Sequence, residues 1–231
     1  MAKARLCEDF NEECRDIVEQ LFVNFISYSK KQTFFHEGDD IGIMFLVCSG
    51  WAARAIHLAD GRRQITEIFL PGDLFPVHAS ISQGVIEDEI VALGECRVTT
   101  CSPGALNEAS RQTNALTRTL WWLSQRDAAI LRMWIAMNGQ YRVYERVAHL
   151  VCEVLERLKH VGLGEGNRFD FPLTQQEIGD IIGATPVHVS RSLKQIRDAG
   201  LLDIQGGVLQ VHDLERLQKA AHFNPGYLNP R

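Results

Sequence analysis

Short apolar runs separated by glycine-bearing turns fill the chain from about residue 30 to residue 101. The clearest runs cover residues 43–47, 52–58, 64–70 and 90–93, and the pair Asp60-Gly61 between two of them is a hairpin signal. Many short strands at near-regular spacing are typical of an all-β roll or barrel. The pattern therefore predicts a β-roll of jelly-roll-like form in this part of the chain.

The pattern becomes helical between Ser102 and about His160, where apolar residues recur every three or four positions. One heptad seam runs through Leu116, Leu120, Leu123, Asp127, Ile130, Trp134 and Met137, and continues to Tyr141 and Tyr144. A second apolar strip consists of Trp121, Ala128, Leu131 and Ile135. A further helix is expected from about Tyr141 to His160, before a glycine-rich break at residues 162–166.

Two packings fit a helix that is apolar on two sides. In one, a single amphipathic helix packs on the β-roll of its own chain. In the other, the heptad seam pairs with its copy in a second subunit while the second strip covers the β-roll. We expect the second packing, because a dimer accounts for both apolar sides. Asp127, the polar member of the seam, is then expected to fix the register of the pair or to act as a switch.

The last third of the chain has the capping and helix-ending residues of two short helices joined by a tight turn. Thr174 and Glu177 form a T-x-x-E capping box at a helix start, and Gly183 ends that helix. Thr185 caps a second helix whose first residue is Pro186, where a missing amide proton costs nothing. The short segment between the two helices is typical of a helix-turn-helix.

The second of these helices carries different residues on its two sides. Val189, Leu193 and Ile196 step by four and three and are expected to face the core. The opposite side has hydrogen-bond donors and cations and no acidic residue, which suits base edges and phosphates in a DNA major groove. The predicted DNA-binding residues are Thr174, Gln175, Thr185, Val187, His188, Ser190, Arg191 and Lys194.

A β-hairpin is expected after this helix, with strands at 201–204 and 208–211 and the turn Gln205-Gly206-Gly207. Such a hairpin is the wing of a winged helix-turn-helix. The fold prediction is therefore of the α+β class: an N-terminal β-roll, a long dimerisation helix and a C-terminal winged helix-turn-helix. The expected domains are 1–105, a β-roll with an N-terminal helix, then 106–140, the dimerisation helix, and 141–231, the DNA-binding domain.

Composition and charge refine this picture. The chain has 231 residues and 45% apolar residues, which suits two compact domains. It has no run of about eighteen apolar residues and begins without an apolar leader, so we expect a cytoplasmic protein that does not enter a membrane.

The net charge of -5 does not indicate nucleic-acid binding, but Arg191, Lys194 and Arg197 form a local cationic face. Phosphate contacts from this face would make binding salt-dependent.

Several motifs carry a resemblance to a known family. They are Leu-Thr-Gln-Gln-Glu-Ile-Gly at 173–179, Gly183, Val-Ser-Arg-Ser-Leu-Lys at 189–194, and Phe-Leu-Pro-Gly-Asp-Leu at 69–74. In these motifs the chain resembles the Crp/Fnr family of bacterial transcription regulators, and the resemblance extends over nearly its whole length. It implies a homodimer, not an enzyme, that binds a palindromic operator on double-stranded DNA and contacts RNA polymerase.

The resemblance assigns roles to single residues of the second helix. Arg191 matches the guanine-reading arginine of the family, and Ser190 matches a serine common in its oxygen-sensor branch. Val187 stands where the family has a glutamate that helps to read the half-site. Valine accepts no hydrogen bond but can touch a thymine methyl group, so with His188 beside it we expect an operator unlike the usual family site.

The effector prediction also departs from the family. Its cyclic-nucleotide binders place an arginine for the phosphate where this chain has Glu87-Asp88-Glu89. Three carboxylates repel a phosphate at short range. We therefore expect a regulator that cyclic AMP does not control, and no cofactor.

Three other hypotheses remain open. The six cysteines (Cys7, Cys14, Cys48, Cys96, Cys101 and Cys152) lack the spacing of an iron–sulfur site and are expected to be free thiols, but a redox-responsive regulator is an alternative. His36, His57 and His78 recur at intervals of twenty-one residues and are candidate ligands for a metal or haem. This spacing also allows a metal-responsive regulator or a cupin-like metal enzyme with an accessory winged helix, although the chain has no H-x-H pair. The third hypothesis is a protein-interaction module that has lost DNA binding.

Overall fold

The computed structural model describes residue 7, residues 9–77 and residues 84–229. Its contacts divide the chain into two compact units, one of Met1–Arg62 with Thr66–Ala128 and one of Arg63–Ile65 with Ala129–Arg231. The boundary at residue 128 falls inside a long helix, whereas the sequence pattern treats residues 106–140 as a segment of their own. Among the described residues, no helix combines the length and the apolar character that crossing a membrane requires.

The first unit is a β-roll of two four-stranded sheets, preceded by helix α1, Glu12–Leu21. One sheet has the order β1-β8-β3-β6 and the other the order β2-β7-β4-β5. The strands are β1 Asn24–Tyr28, β2 Thr33–Phe35, β3 Met44–Ser49, β4 Ala52–His57, β5 Arg63–Phe69, β6 Leu74–Phe75, β7 Glu89–Ala92 and β8 Cys96–Cys101. Strands β3, β4, β5 and β7 coincide with the four predicted runs to within two residues, because each run is short, apolar and bounded by turn residues.

The roll closes around aromatic side chains and one obligatory glycine. Phe75 stacks on Phe69 with ring centroids 4.3 Å apart and on Phe45 at 5.4 Å. Gly50, between β3 and β4, has φ +74, and a Cβ there would lie 1.9 Å from the carbonyl oxygen of Glu95. Only glycine allows both this backbone conformation and this close approach.

Two helices, not one, follow the roll. Helix α2, Pro103–Gln112, is capped by the side chain of Ser102, and α3 is Asn114–Gln140. Thr113 separates them with an extended backbone, φ -138 and ψ 122. The predicted helical zone is correct, but the helix predicted at 106–140 is divided at Thr113, a break that the heptad spacing does not reveal because it begins only at Leu116.

The heptad seam lies inside the chain, which corrects the predicted dimer interface. Leu116, Leu120 and Leu123 pack with apolar residues of α1, α2 and β3 in the core of the first unit. The apolar members of the predicted interface are at most 5% exposed: Leu116, Leu120, Leu123, Ile130, Trp134 and Met137. Side chains buried to this degree offer no surface to a second subunit. Asp127, the polar member, is half-buried.

The second apolar strip of α3 is the exposed one. Trp121 is 66% exposed and Ile135 is 73% exposed, and Leu131 lies between them at 39%. Ala128 completes the strip and is half-buried. The chain therefore covers the heptad seam and leaves the second strip exposed, which the sequence pattern could not show because both strips have the same helical spacing.

The second unit contains the end of α3 and four further α-helices around a small sheet. Helix α4, Val143–Lys159, is followed by β9 Arg168–Asp170, α5 Gln175–Ile182, α6 Pro186–Asp198, β10 Leu202–Gln205, β11 Val208–Val211, α7 Leu214–Ala220 and a 3-10 turn Pro225–Leu228. The sheet has the order β10-β11-β9. Strand β9 was not predicted, because three residues are too few for a period to show.

A buried carboxylate links the end of α3 to α4 and to the C-terminal turn. Glu153 is fully buried and accepts hydrogen bonds from the indole of Trp134 at 2.9 Å and from the hydroxyl of Tyr227 at 2.7 Å. Arg157, one turn further along α4, donates to its other oxygen at 3.2 Å. A buried carboxylate is tolerated when it is paired and fully hydrogen-bonded, and loss of one partner is then costly.

His149 extends this network towards the C-terminal segment. Its Nδ1 lies 3.1 Å from the carbonyl oxygen of Ala221, and its Nε2 lies 3.1 Å from the Tyr227 hydroxyl oxygen. A carbonyl only accepts, so Nδ1 carries a proton. Burial lowers the pKa of His149, although the nearby Glu153 acts in the opposite direction. The lowered pKa favours the neutral imidazole in the folded chain.

The buried His149 predicts a loss of stability in mild acid. When pH falls below the pKa of about 6.5 of the unfolded histidine, the unfolded chain takes up a proton that the folded chain does not. The free energy of unfolding then decreases by up to about 1.4 kcal/mol per pH unit. Urea unfolding at pH 7.5 and 5.5 should show a smaller pH effect in His149→Gln than in the wild type. The exposed-histidine control His212→Gln should keep the full effect, and equal slopes in all three proteins would contradict the prediction.

Candidate nucleic-acid interface

Helix α5 begins and ends as its sequence predicts. The Thr174 hydroxyl accepts a hydrogen bond from the amide of Glu177 at 3.2 Å, and the Glu177 carboxylate accepts one from the Thr174 amide at 2.7 Å. This reciprocal capping box satisfies two amides that a helix start leaves open. Gly183 ends the helix in the left-handed conformation, φ 64. The start and the direction of α5 are thus set by local residues.

The turn after α5 is held by a backbone contact. A Cβ added to Gly179 would lie 2.4 Å from the carbonyl oxygen of Ala184, and the amide of Ala184 donates to the carbonyl of Gly179 at 3.0 Å. The chain can fold back this closely only because residue 179 has no side chain. This contact positions Thr185, which caps the next helix.

One side-chain contact at this turn could not be predicted from the sequence. Arg146, on α4, donates to the Ile182 carbonyl at 3.0 Å and to the Tyr141 carbonyl at 2.7 Å. These bonds occupy a carbonyl at the C-terminal end of α5, which the helix itself leaves without a partner. The sequence alone does not show this role, because Arg146 is 36 residues away from Ile182.

Helix α6 has the two-sided character that the sequence predicts. Val189, Leu193 and Ile196 are buried, together with Ser192. The predicted DNA-binding residues of this helix are all exposed: Val187, His188, Ser190, Arg191 and Lys194. Thr185, at its cap, and Thr174 and Gln175, at the start of α5, are exposed as well. The structure therefore brings every predicted DNA-binding residue to the surface of the same helix-turn-helix.

The wing forms as a tight hairpin. Gln205 pairs with Val208, and the turn residues Gly206 and Gly207 both have positive φ, 57 and 80. This combination is the turn that suits the twist of a two-residue hairpin.

Arg197 forms an ion pair with a residue of the wing. Its guanidinium lies 3.0 Å from the carboxylate of Asp203 on β10. Hydrogen bonds from the side chain of Gln205, the amide of Ile204 and Arg197 lower the pKa of Asp203. The carboxylate is therefore ionised and offsets the charge of Arg197. In the part of the chain that the structure describes, Arg191 and Lys194 make no ion pair, so they are the cations that α6 has available.

The carboxylates predicted to repel a phosphate are in place in the β-roll. Asp88 pairs with Arg54 at 3.5 Å, and Glu89 lies 2.9 Å from Nε2 of His57. Both carboxylates line a cleft of about 400 Å³, together with Glu87 and His36. The acidic segment therefore forms part of one wall of an open cleft.

The structure describes two of the three histidines of the predicted cluster. His36 and His57 line this same cleft, whereas His78 lies outside the described residues. Among the residues that are described, no group of three or more histidine, cysteine, aspartate or glutamate side chains has the arrangement of a metal site.

The cysteines lie mostly in the interior as free thiols. Burial raises the pKa values of Cys96, Cys101 and Cys152 to about 12. At neutral pH these groups are thiols and not reactive thiolates. Cys48 is exposed, but partial burial of its sulfur raises the pKa of this thiol too.

Comparison with known proteins identifies both units. Residues 25–113 match the family described as the cyclic nucleotide-binding domain, and residues 145–220 match the Crp-like helix-turn-helix domain. The chain belongs to the Crp/Fnr family of DNA-binding transcription regulators. Its relatives in that family are regulators and not enzymes.

Three relatives illustrate the likeness. The nitrogen fixation regulation protein FixK of Bradyrhizobium diazoefficiens is 28% identical over 196 residues, 85% of this chain and 81% of the relative. The transcriptional activator protein FnrL of Cereibacter sphaeroides is 25% identical over 183 residues, 78% of this chain and 73% of the relative. The structure of FixK2 from Bradyrhizobium japonicum is 26% identical and superposes with a TM-score of 0.76, covering 85% of this chain and 96% of that one.

The turn contact generates a stability prediction. Gly179→Ala places a methyl group against the Ala184 carbonyl and should lower the free energy of unfolding by about 1–3 kcal/mol, with a matching loss of DNA affinity. Urea unfolding of the full chain measures the first effect. Gly139→Ala is the matched control, since a Cβ at this exposed position in α3 meets no atom within 4 Å. It should stabilise the chain by up to about 1 kcal/mol. Equal stability of the two variants would contradict this account of the turn.

Proposed function

We propose that this regulator acts as a homodimer on a palindromic operator, in the cytoplasm and in contact with RNA polymerase, without control by cyclic AMP. The observation that carries the proposal is the solvent-facing side of α6. Its predicted DNA-binding residues are exposed, while Val189, Leu193 and Ile196 are buried in the same unit. A helix of this kind enters the major groove with its N-terminal residues towards the base edges.

Arg191 is the proposed guanine reader. It is exposed and lies one turn into α6, on the same side as His188 and Lys194. A guanidinium donates two parallel hydrogen bonds to O6 and N7 of guanine, which a lysine ammonium does not reproduce. Lys194, one turn further along, is placed to contact a phosphate.

The exposed strip of α3 is the proposed dimer interface. Trp121, Ala128 and Ile135 recur at intervals of seven, and Leu131 stands three residues after Ala128. This is the a and d spacing of a two-helix coiled coil. Such a pair presents two recognition helices to half-sites about 34 Å apart. A large exposed apolar strip on one helix is otherwise costly for a protein in water.

The effector proposal rests on the acidic wall of the cleft in the β-roll. Glu87, Asp88 and Glu89 place carboxylates there, and the cation beside them, Arg54, already contacts both Glu67 and Asp88. This wall disfavours a cyclic phosphate, so we propose an effector of another chemistry or none.

Guanine reading by Arg191 is tested by changing charge and shape separately. Arg191→Ala and Arg191→Lys should both lower the affinity for a selected operator by about 5- to 150-fold, since each loses the bidentate contact. Arg191→Lys should keep the affinity for random DNA, because its charge remains. Fluorescence anisotropy on both duplexes over a salt series makes the measurement. Arg216→Ala, which removes an exposed arginine from α7, should change neither affinity. Full operator affinity in Arg191→Lys would contradict the assignment.

The dimer interface is tested by placing a charge on the strip. Ile135→Glu should shift the chain from dimer to monomer and weaken operator binding, because a buried unpaired carboxylate opposes the helix pairing. Sedimentation velocity on the full chain follows the shift. Ile56→Glu is the matched control, an exposed isoleucine of β4 given the same charge, and should leave the dimer intact. A dimer of undiminished strength in Ile135→Glu would show that the chains meet elsewhere.

A further inference from the structure

The first turn of α6 carries two exposed residues of opposite chemistry, Val187 and His188. Val187 is 59% exposed and has only methyl groups to offer. His188 is exposed next to it and contacts the helix cap. These two residues belong to the part of a recognition helix that lies nearest the base edges.

Thr185 fixes which edge of the His188 ring faces outward. The Thr185 hydroxyl oxygen lies 3.3 Å from Nδ1 of His188 and accepts the His188 amide proton at 3.4 Å. The hydroxyl keeps its own proton while its oxygen accepts from the amide, and in our assignment it donates that proton to Nδ1. Each of the three groups is then used once. The contact keeps Nδ1 turned towards the cap and leaves Nε2 at the outer edge of the ring.

This arrangement makes the outer edge of His188 a hydrogen-bond donor. A neutral imidazole that accepts at Nδ1 carries its proton at Nε2. In this assignment Nε2 is the donor of the ring. Among the described residues, Nε2 contacts no protein partner, so it is available to a ligand.

A donor edge divides the four bases into two groups. In the major groove, guanine and adenine offer N7 as an acceptor and thymine offers O4, whereas cytosine presents the donor N4. Val187 has neither donor nor acceptor and fits the one apolar group in that groove, the C5-methyl of thymine. Neither residue offers an acceptor that cytosine N4 could use.

We propose that His188, held by Thr185, reads a purine N7 in each operator half-site, and that Val187 reads the methyl group of a thymine next to it. His188 and Val187 are then specificity-determining residues and Thr185 is a positioning residue. This inference rests on the proposed binding of DNA by α6, and adds the base chemistry that the first turn selects. The N7 atom of one purine in each half-site should therefore contribute to operator affinity.

The test begins with selection of binding sites from random duplexes by the purified full-length chain. The enriched half-site is then remade with 7-deazapurine at each purine, which removes N7, and with deoxyuridine at each thymine, which removes the methyl group. The wild type should lose about 3- to 10-fold in affinity at one purine and at one neighbouring thymine, the amount typical of a single contact.

Variants assign each loss to a residue. His188→Ala should bind the natural site more weakly and become insensitive to 7-deazapurine at that one position, and Val187→Ala should become insensitive to deoxyuridine at the neighbouring one. Thr185→Val keeps the size of the side chain but removes the hydroxyl, so it should reduce the 7-deazapurine sensitivity, while Thr185→Ser restores it. A merely structural role of Thr185 would lower affinity at all positions alike. Gln195→Ala, an exposed change later in α6, should keep the wild-type profile.

The outcomes separate this inference from the proposal beneath it. If the wild type enriches a site that depends on Arg191 but shows no position with a His188-dependent loss, the base assignment is wrong and DNA binding stands. If the wild type enriches no sequence, both the DNA-binding proposal and this inference are overturned.

Discussion

The close approach of Gly179 to the carbonyl of Ala184 is the constraint on which the recognition helix depends. With a Cβ only 2.4 Å from that oxygen, the two helices could not fold back at this angle. The approach places Thr185 where its hydroxyl caps α6 and Pro186 where its fixed φ starts it. The side of α6 that faces solvent then follows from which residues the core covers, Val189, Ile196 and their neighbours. The position of α6 thus depends on the absence of a side chain at residue 179.

The helix-turn-helix could be predicted from sequence because every signal that builds it is local. Thr174 and Glu177 are three residues apart, Thr185 and Pro186 are adjacent, and the hairpin turn is Gly206-Gly207. Caps and turns of this kind are satisfied within one or two turns of chain. The same holds for the strands of the β-roll that are bounded by glycine turns. Such elements can be predicted without knowing the rest of the fold.

The features that could not be predicted from the sequence all depend on tertiary packing. The two apolar strips of α3 have the same period, so spacing could not show that Leu116 and Leu123 face their own core while Trp121 and Ile135 face outward. Periodicity shows that the two strips lie on different sides of the helix, but it does not show which part of the protein covers each strip. Likewise, Glu153 unites Trp134 with Tyr227, which are 93 residues apart in the chain, and no local pattern links them. Long-range polar contacts of this kind carry no sequence period.

The charge distribution of α6 explains why a dimer suits this helix. The net charge is -5, and the pairing of Arg197 with Asp203 leaves Arg191 and Lys194 as the cations of α6 that make no ion pair within the described residues. Few phosphate contacts mean little non-specific affinity, because that affinity grows with the number of phosphates neutralised. A single helix of this kind would hold DNA weakly at physiological salt. Two copies joined through α3 would add their contacts on one duplex while each half-site stays selective. Sequence preference in such a protein comes from base contacts and from dimer geometry more than from charge.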